Sequence, residues 1–217
     1  MKPSTHRVLG NQASPTHLLP MRAWKQVDLA DAHFIERGSL KLGLVASYAD
    51  LENGRADPQE GRVVIEANAL FRGVPEHDRA MQRLGVVAGT IAASLFTWPS
   101  PPLYAFCMSE VGCVHDPSPE KPKAVFQVNA VNALARRVVE RNSDRIIDYK
   151  ARRVTYARRR FDALNERSIA SEPFIKDEIF RVEQEIRIVF IPRQDSAIST
   201  LYTKPDPMVS GLLSRIK

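Results

Sequence analysis

Two short acidic segments, and a hydroxyl closing an apolar run, hold the residue types that could do chemistry. Glu183-Gln184-Glu185-Ile186-Arg187 stands at the mouth of the apolar run Ile188–Ile191. If the segment is extended, Glu183 and Glu185 point to one face, because alternate strand residues share a side. Two carboxylates held that close raise at least one pKa unless a cation intervenes. Arg187 falls on the same face, so the spacing fits a catalytic carboxylate pair and a structural Glu–Arg cluster equally well. Asp57-Pro58-Gln59-Glu60-Gly61 sets two carboxylates three residues apart. That pair suits metal binding or acid–base work. It also reads as a plain turn, with Asp57 capping the residues after Pro58 and Gly61 ending it. Met108-Ser109-Glu110 closes the run Leu103–Ser109, where a hydroxyl and a carboxylate can line a pocket or cap the next turn.

A second kind of chemistry lies in the charge. The chain has 217 residues, with 31 basic and 25 acidic, for a net +6. Between Arg136 and Arg160 ten basic residues (Arg136, Arg137, Arg141, Arg145, Lys150, Arg152, Arg153, Arg158, Arg159, Arg160) meet only Glu140, Asp144 and Asp148. This segment nets +7 and the rest of the chain −1. Such imbalance points to an anionic partner, RNA or DNA by default, because neutralising phosphates supplies most non-specific affinity. Tyr149, Tyr156 and Phe161 interleave the arginines and can stack on bases, and Tyr149 and Phe161 can equally join the core. The same charges on a helix face and an edge strand also discourage aggregation.

Several function classes lack their signatures. There is no phosphate-cradling glycine loop followed by Lys-Ser/Thr, no Gly-x-Ser-x-Gly and no His-Glu-x-x-His. His6, His17, His33, His77 and His115 are scattered without ligand spacing, and Cys107 and Cys113 cannot make a metal site by themselves. Two free thiols fit a reducing cytoplasm. No run is long enough to span a membrane, and Met1–Pro20 has no continuous apolar stretch of the secretory kind.

The elements that must position these residues can be assigned from pattern. Residues 1–20 form a polar, mobile arm, and 21–217 form one globular domain. Asp28–Glu36 is a short helix ended by Gly38, and Ser39–Leu44 alternates as a strand. Tyr48–Gly61 is a loop. Arg62–Leu70 and Leu84–Phe96 are apolar runs of undecided type, and Trp98–Pro102 is a stiff proline connector. Leu103–Ser109 and Ala124–Val128 are strands, and Asn129–Ile147 is a helix with an arginine-bearing outer face. Arg152–Ala157 alternates weakly as a strand, Lys176–Glu183 is a helical turn, and Glu185–Pro192 is a strand. Strands outnumber helices and are joined mostly by loops. The expected class is therefore α+β, a mixed and mostly antiparallel sheet with a few packed helices.

The layout resembles a poorly characterised bacterial family of domains of unknown function found in mobile and defence-associated contexts. The pieces that carry this are Arg22–Lys25, Ile35–Gly43, Asp57–Gly61, Phe106–Ser109 and Glu183–Arg187. The order Arg22…Ser109…Glu183-Gln184-Glu185 is also similar to the Arg…Ser…Glu-x-Glu skeleton of ADP-ribosyltransferases. That resemblance implies NAD as the bound substrate. Arg22 would hold its phosphates and Ser109 its nicotinamide ribose, with Glu185 as catalytic carboxylate and Glu183 activating the acceptor. Together the two resemblances imply a toxin or anti-phage effector, and the charge excess supplies the docking surface for its macromolecular target: Arg136, Arg137, Arg152, Arg153, Arg158, Arg159 and Arg160. Two alternatives stand beside it. One is a nuclease holding magnesium through Asp57, Glu60, Glu183 and Glu185, since hard cations take oxygen ligands. The other is a non-catalytic module that binds nucleic acid or a protein partner.

Overall fold

The structure, a computed structural model, describes residues 22–50, 60–87, 89–110, 122–158, 160–165, 172–193 and 200–216. The expected arm at 1–20, Asp57 and Arg159 lie outside these residues. The fold is α+β, with one large antiparallel sheet, a smaller sheet and a few short helices. No helix among the described residues is long and apolar enough to cross a membrane.

The centre of the large sheet is β5 (Tyr104–Ser109), which has almost no polar side chain until its last residue. Along one edge it pairs with β11 (Glu185–Pro192), from Glu185 opposite Ser109 to Phe190 opposite Tyr104. Its other edge is divided. β2 (Lys41–Leu44) meets it at Tyr104 and Ala105, and β1 (Ala23–Asp28) at Ser109. β12 (Thr200–Tyr202) extends the first branch, and β6 (Lys123–Val128) and β13 (Leu213–Arg215) extend the second. β7 (Ile146–Arg153) pairs with β11 and with no other strand among the described residues.

One face of this sheet is apolar. Phe106, Met108, Ile186, Ile188 and Phe190 alternate onto it and pack against Leu134, Ala135 and Val138 of α3 (Val131–Arg141). Those helix positions recur at three- and four-residue steps, as one buried stripe requires. The pattern predicts a helix to Ile147, but the helix stops at Arg141. Buried Asn142 turns its Nδ2 back onto the Val138 carbonyl at 2.7 Å, and its Oδ1 accepts the Lys204 N–H at 2.9 Å. The chain then reverses, so that Ile146 begins β7 instead of ending a helix.

The smaller sheet has the order β4-β3-β9, with β3 (Arg62–Ala67), β4 (Ser94–Pro99) and β9 (Phe161–Asp162). Its core is Val63, Ile65, Leu70, Met81 and Phe161 under α2 (Pro75–Arg83). Arg62–Leu70 is thus mostly strand, whereas Trp98-Pro99 belongs to β4 and the proline connector starts later than expected. A two-strand parallel pair, β8 (Thr155–Tyr156) with β10 (Ile175–Lys176), links the two sheets. The expected strand at Arg152–Ala157 is broken at Val154. That residue is buried and donates its N–H to the Glu185 carbonyl at 2.9 Å.

Two glycines allow close approaches that a Cβ would block. Gly38, two residues past α1 (Ala32–Glu36), has φ +73°, and a Cβ there would lie 1.9 Å from the Asp206 carbonyl oxygen, at the start of α4 (Pro207–Gly211). Gly61 has φ +72°, with a Cβ position 2.3 Å from the Ala46 Cα. Only glycine meets both demands without strain.

Candidate functional site

The second face of β11 is where the carboxylates gather. Glu185 and Arg187 alternate onto it, opposite Ser109 and Cys107 of β5. This face is buried as deeply as the apolar one: Glu185 is 6% exposed and Arg187 1%. A guanidinium in such a place needs every donor direction answered. Arg187 Nε donates to Glu185 Oε1 at 2.8 Å, Nη1 to the Pro173 carbonyl at 2.8 Å and Nη2 to Glu60 Oε1 at 2.5 Å. Glu60 immediately precedes Gly61 and β3. The Asp57–Gly61 segment therefore serves, in its described part, to plant a carboxylate on Arg187 where the smaller sheet meets the larger.

Lys176 closes the other side. From the end of β10 its ammonium reaches Glu183 Oε2 at 2.7 Å and Glu185 Oε2 at 3.4 Å. It lies 4.6 Å from the centre of the Phe180 ring, a favourable place for a cation. Glu183 would share a face with Glu185 by alternation only in an extended segment, and that condition is not met. Glu183 ends the 3-10 turn Glu178–Glu183, inside the helical turn expected over Lys176–Glu183, and Gln184 comes next with φ 42°, in the left-handed region. The two carboxylates still meet, through Lys176 rather than through strand alternation. The backbone around them is fixed as well. The Glu185 N–H donates to the Tyr156 hydroxyl at 2.7 Å, and Ser109 Oγ donates to the Glu183 carbonyl at 2.9 Å.

Burial alone would push the Glu185 carboxyl up. Arg187 and Lys176 outweigh it and hold the group at about 2, so it is ionised throughout the physiological range. Burial likewise works against the Lys176 charge, and Glu185 and Glu183 reverse that and raise it. Burial and the charge of Glu185 push the Cys107 thiol up to about 12, and burial lifts Tyr156 to about 12. These two groups stay neutral beside the ion cluster. Glu185 is thus an ionised, pinned carboxylate, suited to stabilising positive charge and unsuited to taking up a proton. Glu183, whose side chain is 16% exposed, is the more open of the two.

The structure brings Ser109, Glu183 and Glu185 together. Arg22 is exposed and just precedes β1, two residues before Trp24, which is itself opposite Ser109. The four ligands of the magnesium reading are not seen as a set. Asp57 lies outside the described residues, Glu60 and Glu185 bond Arg187, and Glu183 bonds Lys176. Among the described residues no group of three or more His, Cys, Asp or Glu side chains is placed to hold a metal ion.

The basic segment is spread over several surfaces. Arg136, Arg141 and Arg145 are exposed along the outer side of α3 and the turn after it. Arg137 is drawn to Asp206 at 2.7 Å and to Glu140 at 3.3 Å, and Arg153 pairs with Glu110. Arg152 is opposite Arg187 in register and stands 5.6 Å from the Phe174 ring, on the carboxylate side of the sheet. Arg158 and Arg160 are exposed beyond β8. Lys176 joins the site although nothing in its sequence surroundings marks it, and Tyr156, expected among the arginines as a stacking residue, joins it too, because the β8–β10 pairing carries both to Glu185.

Comparison with protein-family models, with curated proteins and with solved structures finds no match.

Proposed function

We propose that the Ser109–Glu183–Glu185 face is the site of a group-transfer enzyme of the ADP-ribosyltransferase kind, acting on a macromolecular acceptor. The observation that carries this reading is the direct opposition of Ser109 and Glu185 on adjacent strands, with Glu183 joined to Glu185 through Lys176. The chemistry comes from the charges. NAD is the substrate, and the bond between its ribose C1′ and the nicotinamide nitrogen breaks with both electrons leaving on nicotinamide. C1′ becomes cationic, and the ionised Glu185 stabilises it. An acceptor oxygen or nitrogen bonds to C1′ and gives its proton to the more open Glu183. Arg22 binds the diphosphate, and Ser109 acts on the ribose side through Glu183, whose carbonyl its buried hydroxyl holds.

The exposed Arg152, Arg158 and Arg160 favour an anionic acceptor, a nucleic acid, approaching from the β7–β8 side. The experiment is transfer of label from NAD to RNA, DNA and protein acceptors, comparing the wild-type chain with Glu183→Gln. Transfer by the wild type, reduced about 10²-fold or more in the variant, is the expected result. No turnover of NAD with any acceptor overturns the reading.

A second reading rests on the same exposed arginines: a module that binds nucleic acid without chemistry. It requires salt-sensitive binding that survives Glu183→Gln and falls when Arg152, Arg158 and Arg160 become alanine.

A further inference from the structure

The smaller sheet has an edge that is prepared for pairing. In an antiparallel ladder, opposed residues alternate between hydrogen-bonded and non-bonded pairs. The Ser100 N–H donates to the Gly61 carbonyl at 2.8 Å, and the β3–β4 register continues from there through Val63 opposite Trp98 and Ile65 opposite Phe96. These are therefore the bonded pairs. Leu95 and Thr97 turn their N–H and C=O groups away from β3, toward an edge that no strand among the described residues covers. Pro99 falls at the same phase. It has no N–H to offer, and an outward position on an edge strand is where proline is tolerated.

Sheet edges are ordinarily blunted by charge. β7, an edge of the large sheet, obeys that rule with Asp148, Lys150, Arg152 and Arg153. β4 does not: no charged residue occurs from Leu84 to Ser109. Leu95 is 54% exposed. Phe96 and Trp98, half-buried, stack at 5.5 Å on the opposite side of the strand.

We propose that β4 is a dimerisation edge, and that a second copy of this chain adds its own β4 antiparallel across a two-fold axis. Charge selects this occupant. Residues 60–99 carry Glu60, Glu66, Glu76 and Asp78 against Arg62, Arg72, Arg79 and Arg83, a net charge of zero, while the whole chain has +6. Two copies meeting through this lobe bring neutral surfaces together and keep the basic segment outward. A nucleic acid or an acidic peptide finds no net positive charge there. The register is self-complementary. With Phe96 opposite Phe96 of the second copy, Leu95 of each chain exchanges both backbone hydrogen bonds with Thr97 of the other. The two phenylalanines form an aromatic cross-strand pair.

The test is sedimentation of the full chain over a wide concentration range, with three proteins. Wild type sediments as a dimer. Leu95→Lys with Thr97→Lys places lysines opposite lysines, and Leu95→Glu with Thr97→Glu does the same with glutamates. Each double variant dimerises roughly tenfold or more weakly, and mixing the two restores association. Both positions are solvent-exposed, and unchanged melting of each variant confirms that it is folded. A wild type that stays monomeric overturns the proposal. So do a dimer indifferent to both variants and variants that fail to recover on mixing.

Discussion

The two faces of β11 are equally buried and held by opposite means. Ile186, Ile188 and Phe190 enter an apolar core closed by α3. Glu185 and Arg187, one residue out of phase, enter a cluster of charges closed by Glu60 and Lys176. The apolar face needs only volume and shape, so many side chains of similar size would serve. The charged face needs each partner by identity, because removing one leaves a buried charge unanswered. The first face is therefore tolerant and the second brittle, and their responses to substitution and to pH differ.

Arg187→Met is the largest expected break. It strands Glu60 without its cation, leaves Glu185 only Lys176, and should cost about 3–5 kcal/mol, read from urea unfolding at neutral pH. The loss is pH-dependent. The folded Glu185 carboxyl lies at about 2, below an unfolded value of about 4.3. Its contribution is therefore present above the unfolded value and lost as pH falls from there toward about 2. The gap between wild type and variant should narrow over that window. A constant gap would show that Arg187 acts only through packing.

Gly61→Ala comes next. The left-handed backbone alone costs about 1–2 kcal/mol, and the collision with the Ala46 backbone adds to it. The same variant displaces Glu60 from Arg187, and urea unfolding at neutral pH reads the combined loss. On the apolar face, Ile188→Val should cost about 1 kcal/mol and remain unchanged between neutral and acid pH. A comparable pH dependence there would erase the distinction between the faces. Of similar size is Tyr156→Phe, which deprives the Glu185 N–H of its acceptor for about 1 kcal/mol. In the transferase reading it should lower turnover of NAD more than its binding, since it loosens the carboxylate's position and not the phosphate contacts.

How far the sequence foretells this differs between the faces. The strand Glu185–Pro192, its alternation and the grouping of Glu185 with Arg187 are all legible, because period-two patterning is local. So are β5, β6 and the α+β class. The alternation of charged and aliphatic residues suggests one buried face, yet both faces are buried. Whether a polar face meets solvent or another element depends on tertiary contact. Lys176 reads in sequence only as the start of a helical turn, and Glu60 as part of a loop. Both join the cluster from more than one element away. The helix Pro75–Arg83 escapes the pattern reading although Pro75, Glu76 and Asp78 supply a proline and acidic side chains in its first turn. The basic segment is legible as charge but not as surface. Asn142 ends the helix early, and Arg137 and Arg153 are taken up by Asp206 and Glu110.

The state of Glu185 underlies both the brittleness of the charged face and the chemistry assigned to it. It can be read directly by carbon-13 NMR of the glutamate side-chain carboxyls during acid titration, with Glu185→Gln to identify the resonance. The Glu185 signal should stay in the ionised position through the range where ordinary glutamates titrate, and move only near pH 2. A signal that titrates with the surface glutamates, near about 4.3, would contradict it.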